Sequence, residues 1–210
     1  MSYVSGDGKP RHKIVLFIIG AIILFLSAYI AIDGAQAFEM PLLGFFRIGI
    51  IVGLFIQLIA LFKLMVYDKF YIVSFITGII VFLAVSTFVV LWMLGLYGTV
   101  YLPEDGVLYR TLSLSDSIGE DLMLIFFIIA TNRLANQSYY GMGKLTVILV
   151  IAYAFLLLLE ITVFIASFTG FTITIEWVAK ILSIIDNAAR ILKIAGTLVF
   201  LIISLTRIKD

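Results

Sequence analysis

The sequence predicts an all-α, polytopic membrane bundle of six transmembrane helices. Three observations carry this expectation: composition, the lengths of the apolar runs, and the distribution of basic residues along them. Apolar residues make up 63% of the 210-residue chain and charged residues 13%, with a mean hydropathy of +1.22. A soluble domain is about half apolar and about a quarter charged. Five apolar runs reach or approach the roughly 20 residues that cross a bilayer, and a sixth is weaker.

The first span is expected at about residues 14–32, after a polar, basic tail over 1–13. Its apolar stretch is longer than the roughly 7–15 residues of a cleaved signal peptide. It reads as a retained helix, an uncleaved signal anchor. The second span is expected at about 42–67 and the third at 70–97. Gly49 and Gly53 form a GxxxG pair in the second. Small residues at that spacing let helix backbones approach closely, and tight packing within the bundle explains them better than oligomerisation. Arg47 lies near one end of this span, where its long side chain can reach an interface. Trp92, Tyr97 and Tyr101 near the end of the third suit an aromatic belt.

The stretch from Thr99 to Leu112 contains two β-prone segments around Pro103-Glu-Asp-Gly106, which has good turn chemistry. It predicts a short external β-hairpin-like loop between helices 3 and 4. The fourth span is expected at about 117–135. Ser115 or Asp116 reads as its N-cap, with Glu120 and Asp121 in the first turn favoured by the helix dipole. Calcium binding by these carboxylates is the alternative. With acids at one end and Asn132 and Arg133 at the other, this is the least lipid-compatible span, and it is expected to be the most central.

The fifth span is expected at about 142–168. The last apolar run, 171–208, is too long for one simple crossing. Polar residues from Glu176 to Arg190 recur every three or four positions, the mark of an amphipathic helix. Either 174–187 lies in the interface and the span is about 188–208, or one helix of about 50 Å turns its polar stripe into the bundle. The first alternative fits the short preceding loop better.

Charge placement sets the orientation. With both termini cytoplasmic, the inner segments hold Lys9, Arg11, Lys13, Lys63, Lys69, Arg133, Lys144, Arg207 and Lys209, and the outer segments are mainly acidic. This is the positive-inside pattern. It predicts an integral protein of the cytoplasmic (plasma) membrane with residues 14–208 as a single membrane domain.

Function is bounded mainly by exclusion. There is no Cys, and the single histidine, His12, is in the polar tail. Thiolate metal sites, haem ligation and histidine proton relays within the membrane therefore lack their usual groups. No Walker, Rossmann, GxSxG or HExxH motif occurs. A net charge of +1 gives no basic field for nucleic acid. Neither a cofactor nor a metal is expected, nor is catalysis.

The candidate polar site within the membrane is Glu160, Gln57, Asp186, Arg190 and Lys193. A carboxylate deep in the fifth span is costly unless protonated, paired or hydrated. It reads either as a cation or proton site, or as a structural partner of Arg190, Lys193 or Gln57. Asp186 and Arg190 are four residues apart and can pair on one face. Gln57 suits an interhelical hydrogen bond. Six helices also divide three plus three, the arrangement of inverted-repeat transporters, although no residue-level repeat is evident. The expected function is a non-catalytic structural or accessory subunit packing against partner membrane helices. The alternative is a small oligomeric channel or transporter using Glu160 and the last helix. Expected partners are membrane lipid and either partner subunits or further copies of the chain.

Overall fold

The structure is a computed structural model that describes residues 9–33, 40–96, 106–136, 143–169 and 176–208. Six helices follow one another: α1 (Pro10–Asp33), α2 (Met40–Leu64), α3 (Lys69–Leu96), α4 (Val107–Asn136), α5 (Gly143–Thr169) and α6 (Glu176–Arg207). Among the described residues there is no strand.

Four segments are long and apolar enough to cross a membrane: Pro10–Ala28, Arg47–Leu64, Lys69–Gly95 and Gly143–Thr162. A shorter apolar stretch, Ala195–Arg207, ends α6. The length of α4 would suffice, but it carries Arg110, Asp116, Glu120, Asp121 and Arg133. Of these charged groups Asp121 alone is fully buried and Arg133 is half exposed, yet α4 bears the densest run of buried side chains, from Asp121 through Ala135. The expectation of a central fourth helix is met.

Neighbouring helices run up and down, so cross-helix contacts define two ends. At one end, Lys13 of α1 donates a hydrogen bond to the Tyr67 hydroxyl just after α2, at 3.1 Å. Asp68 caps α3 there, its Oδ1 accepting from the backbone N–H of Phe70 at 2.8 Å. Arg133 at the close of α4 lies 3.7 Å from Asp68 and over the Phe70 ring. At the other end, Arg47 of α2, Phe88 and Trp92 of α3 and Tyr109 of α4 meet. These are called the Lys13 end and the Arg47 end below.

The main core fills the Lys13 half. Phe17 stacks on Phe127 at 3.9 Å between centroids, and Tyr71 meets Phe127 edge-on at 5.9 Å. Leu61, Ile128 and Phe200 pack around them, all fully buried. Two of the buried polar contacts here cross between helices. The Tyr71 and Thr131 hydroxyls share a hydrogen bond of 3.0 Å, and Ser74 donates to the Met123 carbonyl at 2.7 Å. A smaller cluster, Leu54, Val81, Val85 and Val89, serves the Arg47 half.

The α1–α2 seam is built on glycine. A methyl group on Gly53 would lie 2.6 Å from the Leu24 backbone nitrogen, and one on Gly20 would lie 2.7 Å from the Gly53 carbonyl oxygen. A methyl on Gly49 would collide with the Ser27 hydroxyl. Gly49 and Gly53 therefore serve packing inside the bundle, as expected. Such approach gives dispersion contact without needing a hydrophobic force between helices.

Two sequence expectations are corrected. The second arm of the predicted β-hairpin, Val107–Leu112, is the opening of α4; its first arm lies outside the described residues. Because α4 begins at Val107, Ser115 and Asp116 lie well inside it and cap nothing, and its first turn contains no acid. Valine and leucine are compatible with either state, and tertiary packing selected the helix. The amphipathic segment of the last run lies within α6, which is uninterrupted from Glu176 to Arg207.

Candidate functional site

The acids removed from a capping role acquire a different setting. Asp116 and Glu120 are four residues apart on α4, so they lie on one helix face. Both line a cavity of about 390 Å³ in the Arg47 half. Across it, α2 contributes Arg47 and α3 contributes an apolar wall that includes Val81, Val85 and Phe88. Tyr109 closes the same cavity from the first turn of α4. Asp121 is about 100° around the helix from Glu120, does not line this cavity, and is fully buried.

Among the described residues, Arg47 is held by rings rather than by a carboxylate. Its guanidinium carbon lies 4.0 Å from the Trp92 ring centroid and 5.9 Å from that of Phe88. A cation over a ring face is attracted by the quadrupole. The Arg47 Nε is shielded from solvent and has no hydrogen-bond partner. Arg47 thus brings an unused donor to the wall of a cavity that also bears two carboxyl groups.

A second cavity, of about 270 Å³, lies deeper, among α1, α2, α4, α5 and α6. Its polar lining comprises Gln57, Glu120, Tyr153 and Thr197. Gln57 is only 3% exposed, and its side-chain carbonyl oxygen has no hydrogen-bond partner. An amide oxygen buried in this way costs about 1–3 kcal/mol unless something donates to it. The Tyr153 and Thr197 hydroxyls share a hydrogen bond of 2.8 Å, which fixes both across the α5–α6 contact. Ile22, Phe25 and Leu198 are half exposed and rim the opening.

Glu120 and Leu24 line both cavities. The two spaces are therefore stacked along the bundle with Glu120 at their common wall. Below the second, the Phe17–Phe127 stack and Tyr71 close the Lys13 half.

Of the residues expected from sequence, the structure describes the side chains of Gln57 and Glu160. Gln57 lines the deeper cavity. Glu160 does not: it lies farther along α5, half-buried, with Oε2 shielded from solvent. Among the described residues α2 and α5 do not pack directly against each other, so Gln57 is not brought to Glu160. Asp186, Arg190 and Lys193 lie on α6, and their side chains are outside what the structure describes. Among the described residues no group of His, Asp and Glu has the arrangement of a metal site, so the calcium alternative for Asp116, Glu120 and Asp121 gains no support.

Sequence reasoning missed Glu120 and Arg47 as cavity residues. The available signal was the i, i+4 spacing of Asp116 and Glu120 together with an arginine inside an otherwise apolar run. What it lacked was the true start of α4. No family model, curated protein or solved structure matches the chain.

Proposed function

We propose that the protein is a non-catalytic, multi-pass protein of the cytoplasmic (plasma) membrane, with both termini cytoplasmic, that passes an ion or small solute through its stacked cavities. The single observation that supports this reading is Glu120 at the wall common to both cavities. Carboxyl groups inside an apolar bundle are expensive, and facing an aqueous pathway is one of their main uses. Four apolar helices and the retention of Lys and Arg at one end support insertion in this orientation. In it, the Arg47 end faces outward, and the dense Lys13 half forms the cytoplasmic barrier. The test is flux in liposomes containing the purified protein. Glu120→Gln should cut solute or ion flux by about tenfold or more while the protein still elutes as a folded species. Unchanged flux would remove Glu120 from the pathway.

A second reading, the accessory subunit, is favoured by a different observation. Along the first half of α6, every side chain that the structure describes is exposed, including Ile184, Ile185, Ile191 and Leu192. Among the described residues of α6, the first buried one is Gly196. Exposed apolar side chains on an amphipathic helix suit a membrane surface or a partner helix. Purification in gentle detergent from the native membrane, followed by mass spectrometry of bound chains, tests it. A stoichiometric partner supports this reading, and a chain that purifies alone removes it.

A further inference from the structure

The cavity at the Arg47 end carries a charge pattern that narrows its ligand. One wall supplies a guanidinium with a shielded, unused Nε donor, and the facing helix supplies the carboxyl groups of Asp116 and Glu120. The remaining lining is mostly aliphatic, including Ile50, Leu54 and Val89. A plain anion would meet Arg47 but also two carboxyl groups. A plain cation would meet the carboxyl groups but also Arg47. A ligand with both charges meets an opposite charge on each wall, and an apolar body suits the lining. At about 390 Å³, the space lies within the ordinary range of small-molecule sites.

We propose that this cavity binds a small zwitterion of the apolar amino-acid type. Its carboxylate accepts hydrogen bonds from the Arg47 guanidinium. Its ammonium group donates to the Asp116 and Glu120 carboxyl groups, and its side chain lies against Val81, Val85 and Val89. Trp92, beneath the guanidinium, holds Arg47 toward the ligand. A planar guanidinium can take a carboxylate in bidentate fashion, which a lysine cannot. This assignment rests on the reading of the stacked cavities as a solute pathway, and it names the class of solute.

The experiment is thermal unfolding of the full-length protein in detergent, with leucine, isoleucine, valine and methionine as probes. Each is compared with its methyl ester, which keeps only the cation, and with its deaminated acid, which keeps only the anion. The expected result is a rise of several degrees in Tm with at least one amino acid, and a much smaller rise with either single-charge analogue. Arg47→Gln should weaken amino-acid binding by about ten- to a hundredfold and erase the preference over the methyl ester. Glu120→Gln should weaken the amino acid and spare the deaminated acid. Arg47→Lys keeps the charge and should retain part of the binding. If Arg47→Gln does not fold, the analogue comparison on the unaltered protein still decides. Equal stabilisation by a single-charge analogue, no stabilisation by any probe, or a co-purifying zwitterionic lipid that no amino acid displaces would overturn the proposal. The two readings fail separately. Amino-acid binding without flux in liposomes would end the transport reading and keep the site. Flux that depends on Glu120 but not on any amino acid would do the reverse.

Discussion

The two halves of the bundle are built from the same helices and solve opposite problems. In the Lys13 half, apolar side chains from α1, α2, α3, α4 and α6 interlock around Phe17 and Phe127, and the cross-helix hydroxyls are paired. In the Arg47 half, a smaller valine-rich cluster borders a cavity bearing Arg47, Asp116 and Glu120. One helix, α4, spans both. Its apolar residues, Met123 to Ala130, fall in the first half, and its acids fall in the second. The difference teaches that the helix least suited to lipid is tolerated because one half of it anchors the fold. The other half can then carry charge into the interior, where an unsupported helix could not.

This contrast can be broken most strongly at its anchor. Phe127→Ala removes the ring that stacks on Phe17 and leaves a void in the densest part of the core. It should cost about 3–5 kcal/mol, read as a large drop in Tm in detergent. Truncating Val85 to Ala at the cavity wall should cost clearly less, because its surroundings already face open space. Equal losses would mean that the two halves are packed alike. The α1–α2 seam comes next. Gly53→Val forces a side chain onto the Leu24 backbone and should cost about 1–3 kcal/mol or more, again by thermal unfolding. A neutral result would mean that the backbones are not in contact. Tyr71→Phe should then cost about 1–2 kcal/mol, since it leaves the fully buried Thr131 hydroxyl without its cross-helix partner. The smallest effect belongs to Arg133→Gln. That side chain is half exposed, and its pairing with Asp68 at 3.7 Å is loose, so the change should stay within about 1 kcal/mol. A larger loss would assign the Arg133 contact with the Phe70 ring a real share of stability.

Much of the architecture was legible from the residues, for reasons that can be named. Helix existence followed from run length and apolarity, because a helix satisfies its own backbone hydrogen bonds whatever surrounds it. The role of Gly49 and Gly53 followed from their spacing. The centrality of α4 was inferred from its charges, although in the structure its buried stretch is mostly apolar and Asp121 is its one fully buried charged group among the described residues. Boundaries were less accessible. Val107–Leu112 contains valine, leucine and tyrosine, which suit strand or helix; the structure makes it the start of α4, with the Arg110 backbone N–H donating to the Gly106 carbonyl. That shift moved Asp116 from a cap to a cavity wall. The candidate site was only partly visible for the same reason. Gln57 was identified as a deep polar group, but its neighbours Glu120, Tyr153 and Thr197 come from distant parts of the chain, and sequence spacing says nothing about them.

By itself, the sequence determined an all-helical chain with several segments apolar enough for a membrane, with no Cys and a single histidine. These are properties of composition and local hydrogen bonding, which each segment carries alone. The tertiary structure decided that Glu120 lies between two cavities, that Arg47 faces Asp116 across one of them, and that Glu160 stands apart from Gln57. Such relations depend on how helices rotate and cross, and that is set by where glycine lets backbones touch and where large rings fill the space between them.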